Sequence, residues 1–125
     1  MRKFLEEKIY AQGYPNAKTA PIVTLEDFFE GNKDESSIGC NLIRHPGLKT
    51  FYDLLRNIRD QSSVQDVFVE IMERIYVLTA VEESLLRIWL KDLEPTEIDE
   101  GYAFGVPPQA PGLLSGYKVY AVWWD

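Results

Sequence analysis

Val64-Gln65-Asp66-Val67-Phe68-Val69-Glu70-Ile71-Met72, followed after two residues by Ile75-Tyr76-Val77-Leu78-Thr79-Ala80, is the stretch on which the fold turns. Both runs are rich in β-branched and aromatic residues, which suit a pleated, half-buried surface. Val67, Val69 and Ile71 alternate with Phe68 and Met72, and Ile75, Val77 and Thr79 alternate with Tyr76 and Leu78, the period of two that a strand requires. Two strands over about 65–72 and 75–80 follow. The short gap at Glu73-Arg74 permits a tight hairpin, although it lacks the Gly or Asn such turns favour.

Working toward the N-terminus, His45-Pro46-Gly47 leads into Leu48, Phe51, Tyr52, Leu55 and Ile58 at helical spacing, which predicts a helix over 47–60. Before it, Ile38, Cys40 and Leu42 alternate, which reads as a first main strand over 38–43, with Gly39 at a bulge or close backbone approach. Thr24 is an N-cap with Asp27 three residues on, and Gly31-Asn32 is a stop, so a short helix spans 25–30 after a brief extended piece at Ile22-Val23. Residues 1–20 read as a loosely held arm with a short helix over 2–10, and 21–125 as a single domain.

Toward the C-terminus, Thr79-Ala80-Val81-Glu82 has the residue types of a capping box. It predicts a helix over 81–91 with Val81, Leu85, Ile88 and Trp89 inward and Leu86 at the border, ended by Pro95. Residues 96–100 add a short extended segment. Gly101, Gly105, Pro107, Pro108, Pro111, Gly112 and Gly116 make 101–116 an irregular loop, and 117–125 is a β-rich final strand. The order strand, helix, strand, strand, helix, strand is that of a ferredoxin-like (βαββαβ) α+β two-layer sandwich, with helices on one face of a mostly antiparallel sheet.

Composition agrees with a compact fold. The chain has 125 residues, 46% apolar and 26% charged, enough for one core without disulfides or metal. Its single cysteine cannot form an internal disulfide and suits a reducing, cytoplasmic setting. No apolar run is long enough to span a bilayer, so a membrane partner is not expected. The net charge of −7 argues against nucleic acid, despite the mildly basic set Arg44, Lys49, Arg56 and Arg59. Acidic clusters at 26–35 and 92–100 read as solvated faces.

Catalytic signatures are weak. Cys40 and His45 are the one thiol and the one imidazole, and a Cys–His pair can create a thiolate nucleophile. Cys40 on the inner face of a strand is more simply a small hydrophobe, and His45 a turn residue. One His and one Cys do not fill a structural zinc site, and the carboxylates lack calcium-loop spacing, so no metal or other cofactor is expected. Glu94, Glu97, Asp99 and Glu100 could pair as acid and base, but little apolar sequence surrounds them. The aromatic residues Tyr102, Phe104, Tyr117, Tyr120, Trp123 and Trp124 are the better binding candidates. Alternation sends Trp123 and Trp124 to opposite sheet faces, so one fills the core and the other is available to a partner. Ordinary core packing remains the weightier reading of such residues.

Thr24-Leu25-Glu26-Asp27-Phe28-Phe29-Glu30-Gly31-Asn32, Gly39-Cys40-Asn41-Leu42, His45-Pro46-Gly47 and Val122-Trp123-Trp124-Asp125 together resemble a family of short uncharacterised bacterial proteins, seen among cyanobacteria. The resemblance covers 21–125 and implies no activity, cofactor or catalytic residue. In fold and charge the chain also looks like bacterial toxin-immunity proteins, an analogy at that level alone. Two functional readings follow. The first is an acidic, non-enzymatic domain that binds a protein partner or a second copy of itself. The alternative is a small-ligand or enzymatic domain with a pocket under the 101–116 loop.

Overall fold

The computed structural model describes residues 3–15, 20–71 and 74–124. Helix α1 (Lys3–Ala11) is followed by strand β1 (Ile22–Thr24), helices α2 (Leu25–Phe29) and α3 (Leu48–Arg59), and strands β2 (Val64–Glu70) and β3 (Arg74–Thr79). Helix α4 (Glu83–Leu90) and strands β4 (Glu97–Glu100) and β5 (Lys118–Trp123) complete the chain. The five strands form one sheet in the order β1-β2-β3-β5-β4, and every neighbouring pair is antiparallel.

The α+β class and the antiparallel sheet match expectation; the ferredoxin-like connectivity does not. A split βαβ unit holds parallel strands joined through a helix. Here the crossover through α2 and α3 brings β2 back antiparallel beside β1, and β3 pairs with β2 and β5. The hairpin between β2 and β3 forms, with Glu70 opposite Arg74, and its tip residues 72–73 lie outside the described residues.

The strand expected over 38–43 is absent. Gly39 takes a positive φ of 66°, and a Cβ there would lie 2.8 Å from the Phe51 ring, so the backbone turns where it meets α3. Leu42 N–H donates to the Gly39 carbonyl at 3.0 Å, which closes the turn. Ile38 is buried, whereas Cys40 is exposed and Ile43 points wholly into solvent. The alternation was therefore accidental, and the sheet takes its first strand from Ile22–Thr24.

The helices and their connections line one face of the sheet. Leu5 and Ile9 of α1, Leu25, Phe28 and Phe29 of α2, and Phe51, Leu55 and Ile58 of α3 pack with Val69, Ile75, Val77, Tyr120 and Val122. Thr24 caps α2 as expected, its Oγ1 accepting from Asp27 N–H at 3.0 Å. Helix α4 starts two residues later than expected. Thr79 stays in β3, donating to the Ser63 carbonyl at 2.8 Å and accepting from Val81 N–H, so no capping box forms. The inward face is also rotated: Leu86 and Leu90 are buried, while Leu85 and Ile88 are 39% and 62% exposed. The spacing Leu86, Trp89, Leu90, Leu93 continues through the following turn and gives a longer apolar stripe than the one expected.

The opposite sheet face is covered by chain without helix. Ile22, Phe68, Tyr76, Leu78, Val119 and Ala121 form this second layer, and Tyr102 and Ala110 of the 101–116 loop lie on it. Gln65 clips the loop down: its amide donates to the Gly112 carbonyl at 2.7 Å and accepts from Leu114 N–H at 3.0 Å.

Candidate functional site

The most chemically developed region lies on this second face, near the β2–β3 turn. Glu70 belongs to a strand covered on both sides, and its side chain is only 1% exposed. A buried carboxylate needs partners, because desolvation of an unpaired charge is costly. Tyr76 O–H donates to Glu70 Oε2 at 2.6 Å, and Arg74 Nη1 lies 3.3 Å from Oε1. The Tyr76 oxygen in turn accepts from Ala103 N–H at 3.2 Å, tying the 101–116 loop to the cluster. Burial, and then the hydrogen bond to Glu70, push the Tyr76 phenol well above its ordinary range, so it remains a donor.

Aromatic rings surround the arginine. The Arg74 guanidinium lies 5.0 Å from the Phe104 ring centre and 5.7 Å from that of Trp123. Trp123 donates through Nε1 to Asp99 Oδ2 at 3.1 Å. Phe104 is 55% exposed although its ring sits against a cation. Tyr102 packs edge-on to Tyr76 at 4.8 Å, and its buried hydroxyl has no hydrogen-bond partner among the described residues. Burial, and then the nearby Asp66 charge, raise its pKa.

The expected binding residues therefore divide. Tyr102, Phe104 and Trp123 gather around Tyr76 and Arg74, while Tyr117 is partly buried just before β5. Tyr120 and Trp124 point to the helical side. Trp124 stacks edge-on against Phe51 at 5.3 Å and donates to the Leu93 carbonyl at 2.7 Å. Glu70, Arg74 and Tyr76 were not singled out by sequence reasoning; Glu70 between Val69 and Ile71 was the one hint, and Asp66 in the same strand diluted it.

His45 is engaged by the backbone around it. Gly47 N–H donates to His45 Nδ1 at 3.0 Å, which makes Nε2 the protonated nitrogen, 2.8 Å from the Ile38 carbonyl. Both ring nitrogens thus serve the backbone that leads into α3. Cys40 sits in the exposed turn rather than on a buried strand face. Among the described residues no three His, Cys, Asp or Glu side chains converge as a metal site.

The acidic stretch at 26–35 is partly committed to structure. Arg59 donates to both Glu26 carboxylate oxygens at 2.7 Å, and these hydrogen bonds lower the Glu26 pKa to about 2. A second feature is an open groove of about 370 Å³ where α1, β1 and the 101–116 loop meet. Lys8, Gln12, Asp66, Phe68, Gln109 and Pro111 are among its lining. Burial raises the pKa of Asp66 on its wall. Among the described residues no helix is long and apolar enough to cross a membrane.

Fold and site together define a small α+β domain whose second sheet face carries a buried acid–tyrosine–arginine cluster rimmed by aromatic rings. The chain belongs to the Uncharacterized protein YfbO family, whose model matches residues 1–122. That match begins at residue 1 and so takes in the N-terminal segment left outside the resemblance read from the residues. The chain is similar to Uncharacterized protein YfbO of Escherichia coli (strain K12), 29% identical over 116 residues, covering 84% of this chain and 83% of that protein. No solved structure matches the chain.

Proposed function

We propose that this protein is a non-enzymatic protein-interaction domain that engages its partner through the Arg74–Phe104–Trp123 face. The observation that carries this reading is the exposure of Phe104 over a guanidinium already anchored by buried Glu70. Aromatic residues and arginine held rigid in advance are the side chains that contribute most to protein interfaces. The anchoring cluster presents them without the entropy cost of ordering a loose loop. The acidic surface favours a protein partner over nucleic acid or an anionic membrane. A regulatory or immunity-like role falls within this class.

The test is a photoreactive phenylalanine analogue at position 104 in cells of the native host. A discrete cross-linked protein, lost in Trp123→Ala, is the expected result. Absence of any adduct at 104, while a control position at 114 does give one, contradicts the reading.

A second reading, small-ligand binding, has one observation in its favour: the groove beside the loop, with Asp66 on its wall. Directly beneath the loop, its own Tyr102 and Ala110 occupy the sheet face instead. A fragment screen by amide chemical shifts separates the readings, since a groove ligand perturbs Asp66 and Gln109 rather than Phe104.

A further inference from the structure

The two outer edges of the sheet are finished differently. At β1, the outward N–H and C=O of Ile22 are both taken by the Gln12 side-chain amide, at 2.9 and 2.6 Å. At β4 the register Asp99 opposite Ala121 and the bond from Gly101 N–H to the Val119 carbonyl face β5. Alternation then turns the peptide groups of Ile98 and Glu100 away from the sheet. The Ile98 carbonyl meets Arg87 Nη2 at 3.4 Å, a long contact. The Ile98 N–H and both peptide groups of Glu100 have no partner outside the sheet ladder among the described residues.

The side chains along this edge are acidic and exposed: Glu97, Asp99 and Glu100, with Lys118 3.7 Å from Glu100 at one end. Glu97 lies opposite Trp123 and Asp99 accepts from its indole, so the edge is continuous with the aromatic face. We infer that β4 is the docking edge for an extended, basic segment of a partner protein, added as a further antiparallel or parallel strand. This rests on the reading of the chain as a protein-binding domain and names the chemistry of what it binds. Unpaired peptide groups at strand spacing select an extended backbone. The carboxylates select Lys or Arg on the residues that flank Glu97 and Asp99. A second copy is disfavoured, because β4 against β4 sets carboxylates facing carboxylates on a chain of net charge −7.

The probes are three labelled octapeptides, one alternating lysine and valine, one alternating glutamate and valine, and the lysine peptide with a central proline. Binding to the full chain is read by fluorescence anisotropy and mapped by amide chemical shifts. Binding of the lysine peptide, with shifts at Ile98, Glu100 and the Trp123 indole, is expected. The proline version should bind about fivefold more weakly, and Glu97→Lys/Asp99→Lys should weaken the lysine peptide about tenfold. Equal affinity for the proline version, or no shift at Ile98 and Glu100, overturns the strand-addition inference. Self-association of the chain through β4, seen by sedimentation, also overturns it. Shifts confined to Arg74 and Phe104 reject the edge while leaving the proposed function standing, and the cross-link at 104 tests that function independently.

Discussion

Gln12 and Ile22 form a closed amide pair: the Gln12 side chain accepts from the Ile22 N–H and donates to the Ile22 carbonyl, at 2.9 and 2.6 Å. The glutamine supplies what a neighbouring strand would supply, and so finishes the β1 edge from the end of α1. Gln65 repeats the device on the 112–114 segment. Edge strands left open are templates for pairing, so such clips decide which edge of a sheet is available.

Gln12→Ala should cost about 1–2 kcal/mol, since two hydrogen bonds are lost and the edge groups return to water. Urea unfolding measures the loss, and hydrogen exchange at the Ile22 amide should accelerate. Unchanged exchange at Ile22 would show that α1 protects the edge by packing alone.

Tyr76→Phe removes the donor that satisfies Glu70 Oε2 and the acceptor for Ala103 N–H. A destabilisation of about 1–3 kcal/mol is expected, because a buried carboxylate oxygen is left short of a partner. The double change Tyr76→Phe with Glu70→Gln should recover part of it, since the unpaired charge is gone. Full additivity of the two changes would mean that the pair is not coupled.

The rotated face of α4 predicts opposite outcomes for residues two apart. Leu86→Ala should cost about 2–4 kcal/mol through cavity formation, whereas Ile88→Ala should stay within about 0.5 kcal/mol. Thermal or urea denaturation of the two variants decides it, and similar losses in both would restore the face expected from periodicity.

The Glu26–Arg59 pair links stability to acid. The Glu26 pKa is lowered from 4.5 to about 2, chiefly by the Arg59 hydrogen bonds. The folded state therefore binds this proton more weakly than the unfolded chain. The stabilisation is present above pH 4.5 and is lost as pH falls from there through about 2. The gap in melting temperature between the parent and Glu26→Gln should narrow over that window. Solvent screening at this partly exposed pair keeps the effect modest. A gap that is constant with pH would contradict the assignment.

Periodicity made the centre of the fold legible. Val67–Val69 and Ile75–Leu78 are apolar at every position because both faces of β2 and β3 are covered, and Leu48 to Ile58 carries one inward helical stripe. What failed depends on information outside a local window. Ile38–Ile43 alternates like a strand, yet Gly39 must turn sharply under the Phe51 ring, a constraint set by a residue twelve positions away. The two candidate stripes on α4 are equally apolar over one turn, and only Leu93, in the turn after the helix, makes the observed one longer. At the site, alternation correctly separated Trp123 from Trp124. The Glu70–Tyr76–Arg74 cluster was not legible, because its contacts come from hairpin register and from the loop that returns over it.

The central claim is that the Arg74–Phe104–Trp123 face binds a protein and does not serve merely to hold the domain together. Phe104→Ala tests it most directly when melting temperature and cross-linking from the neighbouring position 106, which is 68% exposed, are measured together in the same variant. The account predicts a melting temperature within about 2 °C of the parent, because the ring is more than half exposed, together with loss of the cross-linked partner. A stable variant that still yields the same adduct at parental level would contradict it.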